Sequence, residues 1–183
     1  MDILDYVKKT ASVLASWKLK FDNNTYRTDT NVGSGLSNLN KIFIIHGHDD
    51  QLKNEVQLFV ARAGLDDVVL HERPDKSRTI INKLIEESQD ACYVIALLTP
   101  DDQIEDGNRR ARQNIVLEIG YFLGKLGKDR IRLIIKGSIE IPSDLQGILY
   151  EKYDDAGAWK AKLLKEMQAV GINVDTNKVI QKY

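Results

Sequence analysis

Ala91-Cys92-Tyr93-Val94-Ile95-Ala96-Leu97-Leu98 is the longest unbroken apolar run in the chain. It falls far short of the ~18 apolar residues that a membrane span needs. Its length suits a strand buried on both faces, and it predicts the central strand of a sheet. The flanking sequence alternates between strand and helix patterns. Upstream, Ile42–Ile45 is a short apolar run. Gln51–Ala63 sets Leu52, Val56, Phe59 and Val60 on one helical side and stops at Gly64. Val68–Leu70 reads as a second strand. Ser77 opens a helix over Thr79–Ser88, with Ile80, Ile81, Leu84 and Ile85 as its apolar residues. Downstream, Ala111–Leu126 is a third helix ended by Gly127, and Ile131–Ile135 a fourth strand. Gly147–Tyr150 follows as a fifth strand, and Ala156–Val170 as a final helix ended by Gly171.

Such alternation argues for a parallel sheet with helices on both faces. Five strands suit the flavodoxin-like α/β order 2-1-3-4-5. In that order a ligand crevice lies beyond the carboxyl ends of strands 1 and 3. It points to the loop after Ile45 and the loop after Leu98.

Before Lys41 the pattern differs. Residues 2–20 place Ile3, Val7, Leu14 and Trp17 on roughly one face and read as an amphipathic helix. Residues 22–40 are rich in Asn, Thr, Ser and Gly without periodicity, which reads as a linker. The expected organisation is an N-terminal helix and linker over 1–40 and one domain over 41–183. The formal net charge is −1, giving no electrostatic basis for binding nucleic acid or a membrane surface. The N-terminus lacks the basic region and cleavage site of a signal peptide, so the expected location is the cytoplasm. Cys92 is the single cysteine, which excludes an internal disulfide; within its apolar run it reads as a small buried hydrophobe.

The loops at the expected crevice carry polar residues. After strand 1 comes His46-Gly47-His48-Asp49-Asp50, where Gly47 allows a sharp turn or a close approach, and Asp49 or Asp50 can cap the next helix. After strand 2, His71-Glu72-Arg73-Pro74-Asp75-Lys76-Ser77-Arg78-Thr79 reads either as a phosphate-contacting loop or as a solvated loop whose Ser77 caps a helix. After strand 3 comes Thr99-Pro100-Asp101-Asp102. All 3 histidines, His46, His48 and His71, fall at strand ends, yet His46 and His48 have no carboxylate partner at a fixed spacing; no metal is expected.

On the third helix, Ile115, Ile119, Phe122 and Leu126 form one apolar stripe at about 100° per residue. Glu118 borders that stripe, on a flank shared with Asn114 and Tyr121. A carboxylate there is partly desolvated once the helix packs, which raises its pKa. The alternative is a solvated glutamate, or one paired with Lys125.

Several stretches carry a family resemblance: Ile42–Asp49, Arg78–Ile81, Leu97–Asp102 and above all Ala111–Gly127. They resemble the bacterial TIR-like domains of antiphage effectors, which occur joined to STING or in cyclic-pyrimidine-triggered systems. Ile141–Gly147 and Asp154–Trp159 extend the similarity, which covers roughly residues 41–170. The resemblance implies NAD⁺ glycohydrolase chemistry, with NAD⁺ as substrate and no bound cofactor. It makes Glu118 the catalytic residue and the loop over Glu72–Thr79 a mobile gate. His46, Gly47 and His48 become candidate substrate contacts near the pyrophosphate or ribose, and Arg78 a candidate phosphate contact. Thr79, Asp101, Asn114 and Tyr121 complete the candidate substrate-binding set. The resemblance further implies a homo-oligomer or filament on activation. The family usually attaches a sensor domain; none is visible after residue 170, so a sensor in trans is the expected partner. Rival readings are a receiver domain, a non-catalytic self-association module and a nucleotide-binding sensor. A receiver needs an Asp at the end of strand 3, where this chain has Thr99-Pro100.

Overall fold

A computed structural model describes residues 40–103, 109–145 and 147–180. The helix read over 2–20 and nearly all of the linker lie outside the described residues. Strands β1 (Lys41–Ile45), β2 (Asp66–Val69), β3 (Tyr93–Leu98), β6 (Ile131–Ile135) and β7 (Tyr150–Lys152) form one sheet in the order β2-β1-β3-β6-β7. All its pairings are parallel. This is the expected 2-1-3-4-5 order, with a small antiparallel hairpin, β4 (Asp102–Gln103) and β5 (Arg109–Arg110), inserted after β3. The helices are α1 (Asp50–Arg62), α2 (Ile80–Glu87), α3 (Gln113–Leu126), α4 (Ala158–Ala169) and α5 (Thr176–Ile180).

The central run does what its composition requires. All six residues of β3 are buried, and they alternate between two cores. Tyr93, Ile95 and Leu97 join Ile42, Ile44, Leu52, Phe59 and Trp159 on the face covered by α1 and α4. Val94, Ala96 and Leu98 join Phe43, Ile45, Leu84, Ile115, Ile119 and Phe122 on the face covered by α2 and α3. The rings of Phe43 and Phe122 lie 4.6 Å apart and tie α3 to β1. Each such fully buried side chain stabilises the fold by roughly 1.5–3 kcal/mol. Cys92 is buried, its thiol donates to the Lys41 carbonyl, and burial pushes its pKa up.

Local differences from the sequence reading have physical causes. The fifth strand is Tyr150–Lys152, not Gly147–Tyr150. Ile148 instead packs into the core from the preceding turn, and the polar edge strand starts after it. Leu70 starts a short 3-10 turn rather than ending β2. Thr79, not Ser77, caps α2: its Oγ1 accepts from the Asn82 amide, while Ser77 has a left-handed φ of 56°. α3 ends at Gly127, whose φ of 76° lets its amide return to the Leu123 carbonyl at 3.1 Å. Among the described residues no helix is long and apolar enough to cross a membrane.

Candidate functional site

α3 builds the first part of the site. Its stripe of Ile115, Ile119 and Phe122 is buried on the sheet, and Glu118 is drawn in beside it, only 9% exposed. Glu118 makes no hydrogen bond or ion pair with any described residue. Desolvation therefore dominates and pushes its pKa from 4.5 up to about 7; the Arg112 guanidinium pulls the other way. Lys125, the pairing partner considered from sequence, is bound elsewhere. Its ammonium donates to the carbonyl and to the hydroxyl of Ser88.

The loops after β1 and β3 build the second part. Asp49 caps α1, its Oδ1 accepting from the Leu52 amide at 2.8 Å, and its Oδ2 pairs with Lys136 at 2.6 Å. Asp101 reaches back under the β1 loop. Its Oδ1 accepts from the His48 amide at 3.2 Å and from the Thr99 hydroxyl at 2.9 Å. Its Oδ2 is buried with no partner among the described residues. A Cβ on Gly47 would stand 1.8 Å from that oxygen. The close approach at Gly47 is thus made by the chain's own carboxylate. The loop is held from two strands, by Asp101 after β3 and Lys136 after β6.

His46 begins the same loop. Its Nδ1 lies 2.8 Å from the Gly47 carbonyl, which can only accept, so Nδ1 carries the proton. Nε2 is left as a buried acceptor without a described partner. Burial lowers the His46 pKa, opposed by the bond to the Gly47 carbonyl and helped by the nearby His71 and Lys53, which favours the neutral ring. The His71 ring stands edge-on at 5.4 Å. His48 stays exposed. Among the described residues no His, Cys, Asp and Glu side chains gather as a metal-binding group.

The remaining candidates are placed differently. Arg78 binds Glu86 at 2.6 Å and Glu87 at 2.9 Å, and donates to the carbonyls of Pro74 and Asp75. With the Lys83–Asp75 pair at 2.7 Å, it fastens the loop over Arg73–Thr79 to α2. Its guanidinium is committed to that task rather than aimed at a ligand. Tyr121 bonds Ser88 through its hydroxyl at 2.9 Å. Asn114 is exposed in the first turn of α3. His46, Gly47, His48 and Asp101 come together; no described bond links them to Glu118. A shallow groove beside α3, lined by Arg110, Ala111, Gln113, Val116 and Pro142, includes none of the candidates.

Sequence reading did not single out Ser88, Lys136 or Arg112. Lys136 follows the last residue of a buried strand, so the strand-end rule that selected His46 selects it as well. Ser88 carries no sequence signal, because it acts through a contact 33 residues away.

A family model described as "CAP12/Pycsar effector protein, TIR domain" matches residues 41–155, from β1 through β7 and including α3 with Glu118. The uncharacterized protein YuaY of Escherichia coli (strain K12) is 48% identical over 145 residues, covering 76% of this chain and 48% of that protein. The chain spans about half the length of that relative, 48%. Protein tirC of Dictyostelium discoideum is 28% identical over 139 residues, 68% of this chain and 69% of that protein. The Pycsar effector protein PaPycTIR of Pseudomonas aeruginosa is 36% identical over 70 residues, 35% of this chain and 23% of that protein. The crystallographic TIR domain of the Toll-related receptor TRR-2 from Hydra magnipapillata superposes with a TM-score of 0.54 at 14% identity, covering 70% of this chain and 96% of that one. That last likeness speaks for the fold alone. With the sheet order, the two-sided core and a family match across residues 41–155, the chain belongs to the TIR domains of the CAP12/Pycsar effector family.

Proposed function

We propose that this domain cleaves the nicotinamide–ribose bond of NAD⁺, with Glu118 as the catalytic carboxylate. The observation that carries the reading is a buried carboxylate without a described partner, on the helix that packs across β1, β3 and β6. Desolvating a carboxylate is unfavourable, and a structural role would have supplied a partner. A substrate that arrives with positive charge supplies one. The nicotinamide ring of NAD⁺ is cationic, and its charge favours the ionised form of Glu118 as it binds.

The chemistry then needs little else. The C1′–N bond breaks and its electron pair leaves with nicotinamide, a neutral molecule, so no general acid is required. Positive charge moves onto the ribose, and a fixed carboxylate in a water-poor site stabilises it. Water attacks C1′ and gives its proton to Glu118, yielding ADP-ribose. Capture by the adenine of the same molecule yields a cyclic isomer instead.

By analogy with the Pycsar effector relative, the setting we propose is antiphage defence in the cytoplasm. Activity would be switched on by assembly into a homo-oligomer or filament, with a sensor acting in trans. The exposed Ile80, Ile81 and Ile85 of α2 support assembly, since isolated domains seldom leave such a cluster uncovered.

Chromatography of products from concentrated protein and NAD⁺ tests the reading and separates linear from cyclic ADP-ribose. Wild type releases nicotinamide and a folded Glu118→Gln variant does not. Equal release by the two overturns the assignment. Self-association without turnover, under conditions where assembly is demonstrated, returns the non-catalytic adaptor reading.

A further inference from the structure

The flank of α3 that carries Glu118 ends on a buried hydroxyl. Ser88 closes α2 and has no exposed surface. Its Oγ lies 3.1 Å from the Ile85 carbonyl, 2.9 Å from the Tyr121 hydroxyl and 3.1 Å from the Lys125 ammonium. A serine hydroxyl has one proton. Ile85 can only accept, so Ser88 donates there, and Tyr121 and Lys125 both donate to Ser88. Lys125 also bonds the Ser88 carbonyl and stands 5.9 Å from the centre of the Tyr121 ring.

Serine, lysine and tyrosine in contact could make a nucleophile and its base. Here the serine is sealed from solvent and its proton is spent on a carbonyl, so no substrate reaches it. The arrangement is mechanical. Residues 118, 121 and 125 follow one another at helical spacing and share one flank. The rest of α3 packs through Ile115, Ile119 and Phe122 onto Phe43, Val94, Ala96 and Leu133, contacts without direction that tolerate small rotations. The bonds to Ser88 are directional, and water cannot replace them there.

We propose that Ser88 is a positioning residue: through Tyr121 and Lys125 it sets the rotation and axial position of α3 and so fixes the Glu118 carboxylate for reaction. The proposal rests on Glu118 being the catalytic carboxylate. The charges on this side are few. Arg112 acts on Glu118 directly, Lys125 is bound to Ser88 and feels the Asp90 carboxylate, which pairs with Lys41, and Lys83 of α2 is bound to Asp75. The strands beneath contribute apolar residues on this face.

The test uses the full chain in wild-type, Tyr121→Phe and Ser88→Ala forms. Protein carrying carboxyl-¹³C glutamate is titrated by NMR, with the Glu118 signal identified by its loss in Glu118→Gln. In parallel, kcat and KM for NAD⁺ are measured on the folded fraction. Tyr121→Phe is expected to move the Glu118 midpoint down toward the ordinary carboxylate range, because a loosened helix admits water. It is expected to lower kcat roughly tenfold while KM changes by less than about twofold. Ser88→Ala acts in the same direction; if it fails to fold, Tyr121→Phe decides. An unchanged midpoint, or an unchanged kcat, in folded Tyr121→Phe overturns the proposal even if its thermal stability falls. Equal nicotinamide release by wild type and Glu118→Gln overturns the NAD⁺ reading instead, and the titration still reports whether Ser88 places Glu118.

Discussion

The Asp101 carboxylate occupies the space that a side chain at Gly47 would take: an added Cβ would lie 1.8 Å from Oδ2. The same carboxylate holds the His48 amide and the Thr99 hydroxyl, so the glycine and the acid together join the ends of β1 and β3. Gly47→Ala must push Asp101 out and break those bonds. The expected loss is about 1–3 kcal/mol, the usual effect of overpacking a tight site. Asp101→Ala removes the obstruction, so the double variant should lose less than the sum of the two single variants. Urea unfolding of the four proteins measures this coupling. Additive losses would show that Gly47 and Asp101 do not share this space.

Glu118 gives a pH dependence with a definite sign. Its folded pKa, about 7, lies above the unfolded value near 4.5, so between them the native state holds more protons than the unfolded state. Stability therefore falls as pH rises through that window. Ionising Glu118 costs up to roughly 3 kcal/mol by pH 8, and Glu118→Gln should abolish this slope and be the more stable protein there. A wild type and a variant with parallel stability curves from pH 5 to 8 would contradict it.

In the proposed reaction the same titration governs turnover. There only ionised Glu118 would stabilise the ribosyl cation, so kcat/KM should rise with pH to a plateau above about 7. Bound NAD⁺ brings a positive ring beside the carboxylate, so the midpoint seen in kcat should lie below that in kcat/KM. Rates measured from pH 5 to 9 decide this, and coincident midpoints would mean that the pyridinium does not sit near Glu118.

The border position of Glu118 was legible because helical spacing is periodic: a residue beside the Ile115–Ile119–Phe122 stripe must be carried in when the stripe is buried. β3 was legible for the same kind of reason, since a strand covered on both faces is continuously apolar. The Asp101–Gly47 contact had no such signature, because it joins two loops whose separation in sequence carries no period. The β4–β5 hairpin is two polar residues on each side, too short to show alternation. Arg78 was ambiguous in a physical way: a guanidinium that serves as an anchor and one that grips phosphate look alike in sequence, and only the structure puts Glu86 and Glu87 beside it.

That ambiguity makes Arg78 a discriminating position. If it fastens the loop, Arg78→Ala should speed amide hydrogen exchange across Arg73–Thr79 in the absence of any nucleotide. Global stability should fall only modestly, since Glu86 is largely exposed and Arg78 belongs to neither core. If instead it grips phosphate, exchange in the free protein stays at the wild-type rate and only KM for NAD⁺ rises. The two outcomes are read from one variant, and the structure favours the first.

Gly120 and Gly124 stand one turn apart on the exposed side of α3, next to Leu117, itself 58% exposed. An added Cβ would meet nothing within 4 Å at either position. Alanine there should stabilise the helix by about 1 kcal/mol per site, mainly by restricting the unfolded chain. For a chain of this size that amounts to ~2–4 °C in Tm for each substitution. The expectation concerns the isolated domain, so scanning calorimetry belongs at a concentration where sedimentation shows a monomer. If both variants gain stability as monomers yet fail to assemble or to release nicotinamide at high concentration, the bare surface of α3 is kept open for a second copy. A lower monomer Tm for either variant would contradict the open space seen at these two glycines.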